Sequence, residues 1–162
     1  SAVPLIPEYD NLLVIQTLSK SRALAGLRVG AALGQAHLIE GLERVKNSFN
    51  SYPLDCVAQR GALAALEDVA YFRAICGRVV ASRERLGREL AGLGFEVLPS
   101  AANFLLARHP GREGRVLFSA LRDRGIIVRY FDQPRIDDYL RISVGTDEQC
   151  DALLAALREI LA

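Results

Sequence analysis

The segment Thr17-Leu18-Ser19-Lys20-Ser21-Arg22-Ala23-Leu24-Ala25-Gly26-Leu27-Arg28-Val29-Gly30 holds the residues best suited to chemistry. Lys20 follows a short apolar, β-branched run, Asn11 to Leu18. The C-terminal end of a strand is where open α/β sheets bind ligands. A lysine amine placed there, desolvated and beside positive charge, is a nucleophile toward carbonyls. Ser19 offers a hydroxyl, and Arg28, eight residues after Lys20, a fixed bidentate fork suited to phosphate. Gly26 and Gly30 permit tight backbone geometry around an anion. Against this stands the bland reading: a Ser-Lys pair occurs by chance in any sequence, and most such lysines are solvated.

Those side chains need elements to position them. The 11–18 run reads as a buried strand of a parallel sheet, and Arg28 to Gly34 as a second strand whose small residues allow close approach of a backbone or ligand. Apolar spacing predicts a helix over His37 to Lys46, then a loop from Asn47 to Pro53. Pro53 is expected in the first turn of a helix reaching Leu66, with Val57, Leu63, Ala64 and Leu66 toward the core. Asp68 is suited to cap a long helix that runs to Leu93 and ends at Gly94. The charges of its second half, Arg83, Glu84, Arg85, Arg88 and Glu89, suggest a solvated bridging helix.

Strands are then expected over 95–98, 104–107, 126–130 and 139–144, alternating with helices near 114–124 and 147–161. Thr146-Asp147-Glu148-Gln149 forms a plausible capping box for the last helix. The fold class is therefore α/β, in three parts. Residues 1–67 are the edge of a large α/β domain, 68–93 a long interdomain helix, and 94–162 a small α+β domain. Two strands with two helices make a poor sheet by themselves, which points to missing neighbours.

Bulk properties narrow the classes. An apolar share of 51% and a charged share of 24% are those of an ordinary soluble globular protein. A net charge of +1, with arginines spread along the chain, argues against nucleic-acid or anionic-membrane partners. No apolar run is long enough to span a bilayer. Cys56, Cys76 and Cys150 are odd in number and far apart, so they read as reduced thiols in a cytoplasmic setting. His37 and His109 lack ligand-spaced partners, and no metal site is expected. The chain has no methionine and opens at Ser1 in a proline-spaced stretch, which tilts toward a start inside a longer protein.

The lysine segment as a whole resembles the cofactor-lysine segment of fold-type I aminotransferases, in the pattern T-x-S-K-x-x-x-L-A-G-x-R-x-G. The most similar family is histidinol-phosphate aminotransferase. Further stretches carry the resemblance over essentially the whole chain. They are Asn11-Leu12-Leu13-Val14, Tyr52-Pro53 with Ala58-Gln59 and 62–68, Ala102-Asn103-Phe104-Leu105, Gly125-Ile126-Ile127-Val128-Arg129, and Leu140-Arg141-Ile142-Ser143-Val144-Gly145-Thr146.

The resemblance implies the C-terminal part of a homodimeric, cytoplasmic enzyme that uses pyridoxal 5'-phosphate. On it, Lys20 carries the cofactor covalently, Ser19 and Arg28 hold the cofactor phosphate, and Thr17 is a further cofactor contact. Arg141 and Arg129 meet the acidic end of the substrate, which in histidinol phosphate is a phosphate. Taken alone, Arg141 would read as a structural salt-bridge former. Asn103 is a candidate substrate contact whose alternative is a strand-end hydrogen bond. The implied reaction passes an amino group between histidinol phosphate and 2-oxoglutarate, in histidine biosynthesis. The family's N-terminal half supplies the rest of the site, so the chain alone is expected to turn over poorly. Two other readings stay open: a sister enzyme, such as a threonine-phosphate decarboxylase or an aromatic aminotransferase, and a non-catalytic α+β module.

Overall fold

In the computed structural model, which describes residues 1–50 and 52–162, the chain forms two units, Ser1–Ala74 and Ile75–Ala162. The first contains strands β1 (Leu13–Thr17) and β2 (Gly30–Gly34) and helices α1 (Ala36–Phe49) and α2 (Cys56–Glu67). Helix α3 (Val69–Gly92) starts in it, and the boundary between the units falls within that helix.

β1 and β2 pair antiparallel, from Leu13 opposite Gly34 to Thr17 opposite Gly30. This corrects the parallel, buried strand expected from the apolar run. Ile15, Gln16 and Thr17 are exposed, because nothing among the described residues of this unit covers that end of the hairpin. A β-branched run reports strand propensity; which face is buried depends on neighbours the run does not encode. The loop expected over 47–53 loses its first residues to α1, and Ser51 of it lies outside the described residues.

α2 departs from expectation in two ways. Pro53 stands ahead of the helix, and the cap is Asp55, whose Oδ1 accepts the Ala58 N–H at 2.8 Å. The inward face is Ala58 and Ala62, whereas Val57, Leu63 and Leu66 are exposed. Small residues face inward because the 24–28 turn comes close. A Cβ on Gly61 would stand 2.7 Å from a Leu27 methyl, and Arg22 Nη1 donates to the Ala65 carbonyl at 2.5 Å while stacking 3.8 Å from the Phe72 ring centre.

The second unit holds a four-stranded antiparallel sheet of β3 (Glu96–Val97), β4 (Phe104–Arg108), β5 (Arg129–Tyr130) and β6 (Leu140–Ser143), in spatial order β3-β4-β6-β5. Helices α4 (Gly114–Asp123) and α5 (Asp147–Leu161) complete it. Leu105 and Ala107 of β4 and Leu140 and Ile142 of β6 point to one side, by the period-two rule. There they meet Leu117 and Leu121 of α4, Leu153, Leu154 and Leu157 of α5, and Leu86 and Leu90 of α3.

The charged half of α3 is therefore not a free bridging segment. Its leucines enter the core, while Arg85 pairs with Glu89, Asp147 and Asp151, and Arg158 with Glu89. The hydrogen bond to the Asp151 carboxylate holds the Arg85 guanidinium above its ordinary value. Asp68 caps α3 as expected, accepting the Tyr71 N–H at 3.1 Å. Gly94 closes the end of the long helical stretch with a φ of +87°, a conformation that favours glycine, and the Phe95 N–H returns to the Leu90 carbonyl at 3.1 Å. The Thr146–Gln149 capping box of α5 is present.

Two outcomes are expected. Leu117→Ala, at a position with no exposed surface, should lower stability by about 2–5 kcal/mol in urea unfolding followed by circular dichroism. The open apolar face of α1, with Phe49 80% exposed and Val45 beside it, should drive self-association. Light scattering should show mass rising with concentration, and less so in a Val45→Ser/Phe49→Ser double variant. A concentration-independent monomer would contradict this.

Candidate cofactor and anion sites

Lys20 is held by backbone geometry rather than by burial. After β1 the chain turns, with the Leu18 N–H bonded to the Val29 carbonyl at 3.1 Å and the Leu24 N–H returning to the Leu18 carbonyl at 3.1 Å. The Lys20 carbonyl accepts the Ala23 N–H at 3.1 Å, and Lys20 itself is exposed. Thr17 and Ser19 sit together: the Thr17 hydroxyl donates to Ser19 Oγ at 2.9 Å and accepts the Ser19 N–H at 3.1 Å. Arg28 lies in the left-handed region (φ 55°, ψ 36°), and its Nη1 donates to the Ala25 carbonyl at 3.2 Å.

The glycines act differently from expectation. Gly30 is required by strand pairing, since a Cβ there would stand 2.9 Å from the Gln16 carbonyl oxygen. Gly26 has open space around it and no positive φ. The unusual torsions fall instead on Ala23 (φ 56°) and Arg28.

Arg129 and Arg141 are direct cross-strand partners on β5 and β6. Leu140 and Ile142 are buried on the opposite face, so Arg141 and Ser143 project away from the core. Arg129 lies 5.3 Å and Arg141 5.7 Å from the Phe131 ring centre, and Arg141 lies 5.4 Å from that of Phe104. The salt-bridge reading of Arg141 is not met: among the described residues neither arginine has a carboxylate partner, and Arg141 Nε is buried without a hydrogen bond.

Both arginines line a depression of about 470 Å³ together with Phe118, Arg122, Tyr130 and Ser143. Asn103 is not among its lining residues. Its backbone carbonyl accepts the Val144 N–H at 2.9 Å, the strand-end role held as its alternative, while the residue is exposed. Arg122, which the sequence reading did not single out, also lines this depression from α4. Among the described residues no group of histidines, cysteines and carboxylates is arranged to hold a metal ion, and no helix is long and apolar enough to cross a membrane.

A lysine on a hydroxyl-lined turn after a strand, and paired arginines on adjacent strands, occur here in a chain whose residues 1–157 match the class I and II aminotransferases. The chain belongs to that family. Histidinol-phosphate aminotransferase 1 of Bradyrhizobium diazoefficiens is 65% identical over 161 residues, 99% of this chain and 46% of that protein. Histidinol-phosphate aminotransferase 2 of Rhizobium meliloti is 63% identical over 161 residues, again 99% and 46%. The solved histidinol-phosphate aminotransferase of Sinorhizobium meliloti, in complex with pyridoxal-5'-phosphate, matches with a TM-score of 0.87 at 29% identity. That match covers 98% of this chain and 43% of that one. The chain thus spans about half the length of the relatives it matches, and its fold is part of the fold-type I aminotransferase fold.

The strand contact at Gly30 supports the lysine turn directly. Gly30→Val should push β2 from the Gln16 carbonyl and deprotect the Leu18 amide in hydrogen exchange, roughly fivefold or more for a strain of about 1–3 kcal/mol. Gly26→Ala, with free space, should leave that amide unchanged.

Proposed function

We propose that the protein is a pyridoxal-phosphate-dependent aminotransferase acting on an amino substrate with a phosphate end, histidinol phosphate, with 2-oxoglutarate as acceptor, in histidine biosynthesis. The observation that carries the substrate class is the cross-strand pair Arg129–Arg141. Like charges placed directly opposite are costly, and here no carboxylate offsets them among the described residues. An anionic group bound between them removes that cost. A phosphate offers several oxygens to guanidinium forks and to the Ser143 hydroxyl.

The cofactor assignment rests on the donor set of the 17–28 turn. An exposed amine, two hydroxyls 2.9 Å apart and a guanidinium with free donors fit a phosphorylated aldehyde. When bound, that group supplies the electron sink for chemistry at the substrate Cα. Lys20 holds it, and Thr17, Ser19 and Arg28 bind its phosphate. Once free, the Lys20 amine takes and returns the proton at the substrate Cα. Arg129 and Arg141 orient the substrate from its far end, and Asn103 is a further substrate contact. The working enzyme on this reading is a cytoplasmic homodimer, and this chain alone turns over poorly. The family membership and the relatives' names support the reading.

The chain has two lysines, Lys20 and Lys46. Incubation with pyridoxal phosphate, borohydride reduction and peptide mapping should place the adduct on Lys20 in at least about tenfold preference. That ratio corresponds to ~1.4 kcal/mol of specific binding. Pyridoxal, which lacks the phosphate, and the Arg28→Gln variant should both lose the preference. Equal labelling of Lys20 and Lys46 would overturn the cofactor assignment.

A further inference from the structure

We propose that Arg22 is a positioning residue for the lysine turn: it clamps the stretch between Lys20 and Arg28 onto the C-terminal end of α2. The clamp sets how the Lys20 amine and the Arg28 guanidinium are spaced toward a phosphorylated aldehyde. The inference rests on the cofactor roles given above to Lys20 and Arg28. Arg22 is half-buried, and its Nη1 donates to the Ala65 carbonyl at 2.5 Å. Ala65 lies in the last turn of α2. The last four carbonyls of a helix have no partner within it, and a cation is favoured there. The same guanidinium lies 3.8 Å from the ring centre of Phe72, in the first turn of α3, so one side chain spans the corner between the two helices.

What Arg22 holds is the backbone that shapes the site. It stands inside the turn closed by the Ala23 N–H on the Lys20 carbonyl at 3.1 Å. Ala23, the next residue, has a φ of +56°, a conformation disfavoured for any residue with a Cβ. Such a torsion persists where surrounding contacts over-determine it, and the anchored neighbour supplies one. Toward the other end, Leu27 rests on Gly61 of the same helix, where a Cβ would stand 2.7 Å from its methyl. Gly61 and Ala65 lie one turn apart and share a face of α2 with the buried Ala58 and Ala62. Small residues on that face let the turn come close. Both ends of the arc from Arg22 to Leu27 thus dock on one helix, with Lys20 just before it and Arg28 just after.

The competing account is that Arg22 only stabilises the corner between α2 and α3. That account predicts lower stability and no change in which amine the aldehyde takes. The test repeats the reductive labelling of the 162-residue chain and reads the Lys20-to-Lys46 ratio in wild type, Arg22→Ala and Asp55→Ala. Asp55→Ala removes the cap at the opposite end of α2 and leaves the contacts of the turn in place.

With pyridoxal phosphate, Arg22→Ala should lower the ratio about fivefold, as a charge-assisted hydrogen bond and a cation–π contact are partly replaced by water. With pyridoxal, which lacks the phosphate that Arg28 binds, wild type and Arg22→Ala should label alike. Hydrogen exchange at the Ala23 and Leu24 amides should speed up in Arg22→Ala and not in Asp55→Ala, which should also keep the wild-type ratio. A wild-type ratio in Arg22→Ala, or an equal fall in Asp55→Ala, would overturn the role of Arg22 and leave the cofactor site standing. A wild-type chain with no preference for Lys20 would remove the cofactor assignment, and the inference with it.

Discussion

Alternation along β6 is the constraint on which the second unit depends. Leu140 and Ile142 are buried, and through them the strand is fixed against leucines of α3, α4 and α5. Each fully buried leucine or isoleucine contributes on the order of 1.5–3 kcal/mol, so a one-residue slip, which would turn the whole set outward, is strongly disfavoured. The same alternation sends Arg141 and Ser143 to the other face, and pairing with β5 then sets Arg129 directly across from Arg141. The arginines need no loop to aim them. Their direction follows from where the leucines must go.

Their juxtaposition is also an electrostatic cost that the fold accepts. Five other arginines of this unit are matched: Arg85 and Arg158 to Glu89, Arg108 to Glu96, Arg115 to Asp132 and Arg124 to Glu159. Those pairs are solvent-exposed and contribute little to stability, yet they show that carboxylates are available. Around Arg129 and Arg141 the neighbours are the rings of Phe104 and Phe131 instead. An aromatic face attracts a guanidinium without neutralising it. The pair keeps its charge and is held in place, which is the condition for binding an anion from outside.

The sequence was most legible where periodicity and burial agree. α4, α5 with its capping box, β4 and β6 lie close to their expected positions because their apolar spacing matches a core that exists within the unit. It was least legible in the first unit. There the only buried apolar residues among those described are Ala58 and Ala62, so large side chains such as Val57 and Leu66 give no guide to which face packs. The antiparallel pairing of β1 and β2 was hidden for a related reason: Leu13–Thr17 reads as apolar throughout its first half, and such a run fits either kind of sheet. Arg141 stood out through its motif, whereas its placing directly opposite Arg129 is a contact between elements that spacing cannot reveal.

The lysine turn shows the opposite balance from β6. Few buried side chains hold it, and its form comes from backbone bonds among Leu18, Lys20, Ala23, Leu24 and Val29. Ala23 and Arg28 adopt positive φ without being glycine, at a cost of roughly 1–3 kcal/mol each. Gly26, where that freedom would come cheaply, does not use it. Left-handed torsions at Ala23 and Arg28 therefore bound the stretch after Lys20, and the second falls on the residue whose guanidinium the turn presents. Strain of this kind persists where the surroundings over-determine it, and such places cluster at ligand sites. The torsions at Ala23 and Arg28 thus fall on the same turn whose residue types suggested the cofactor role proposed for Lys20.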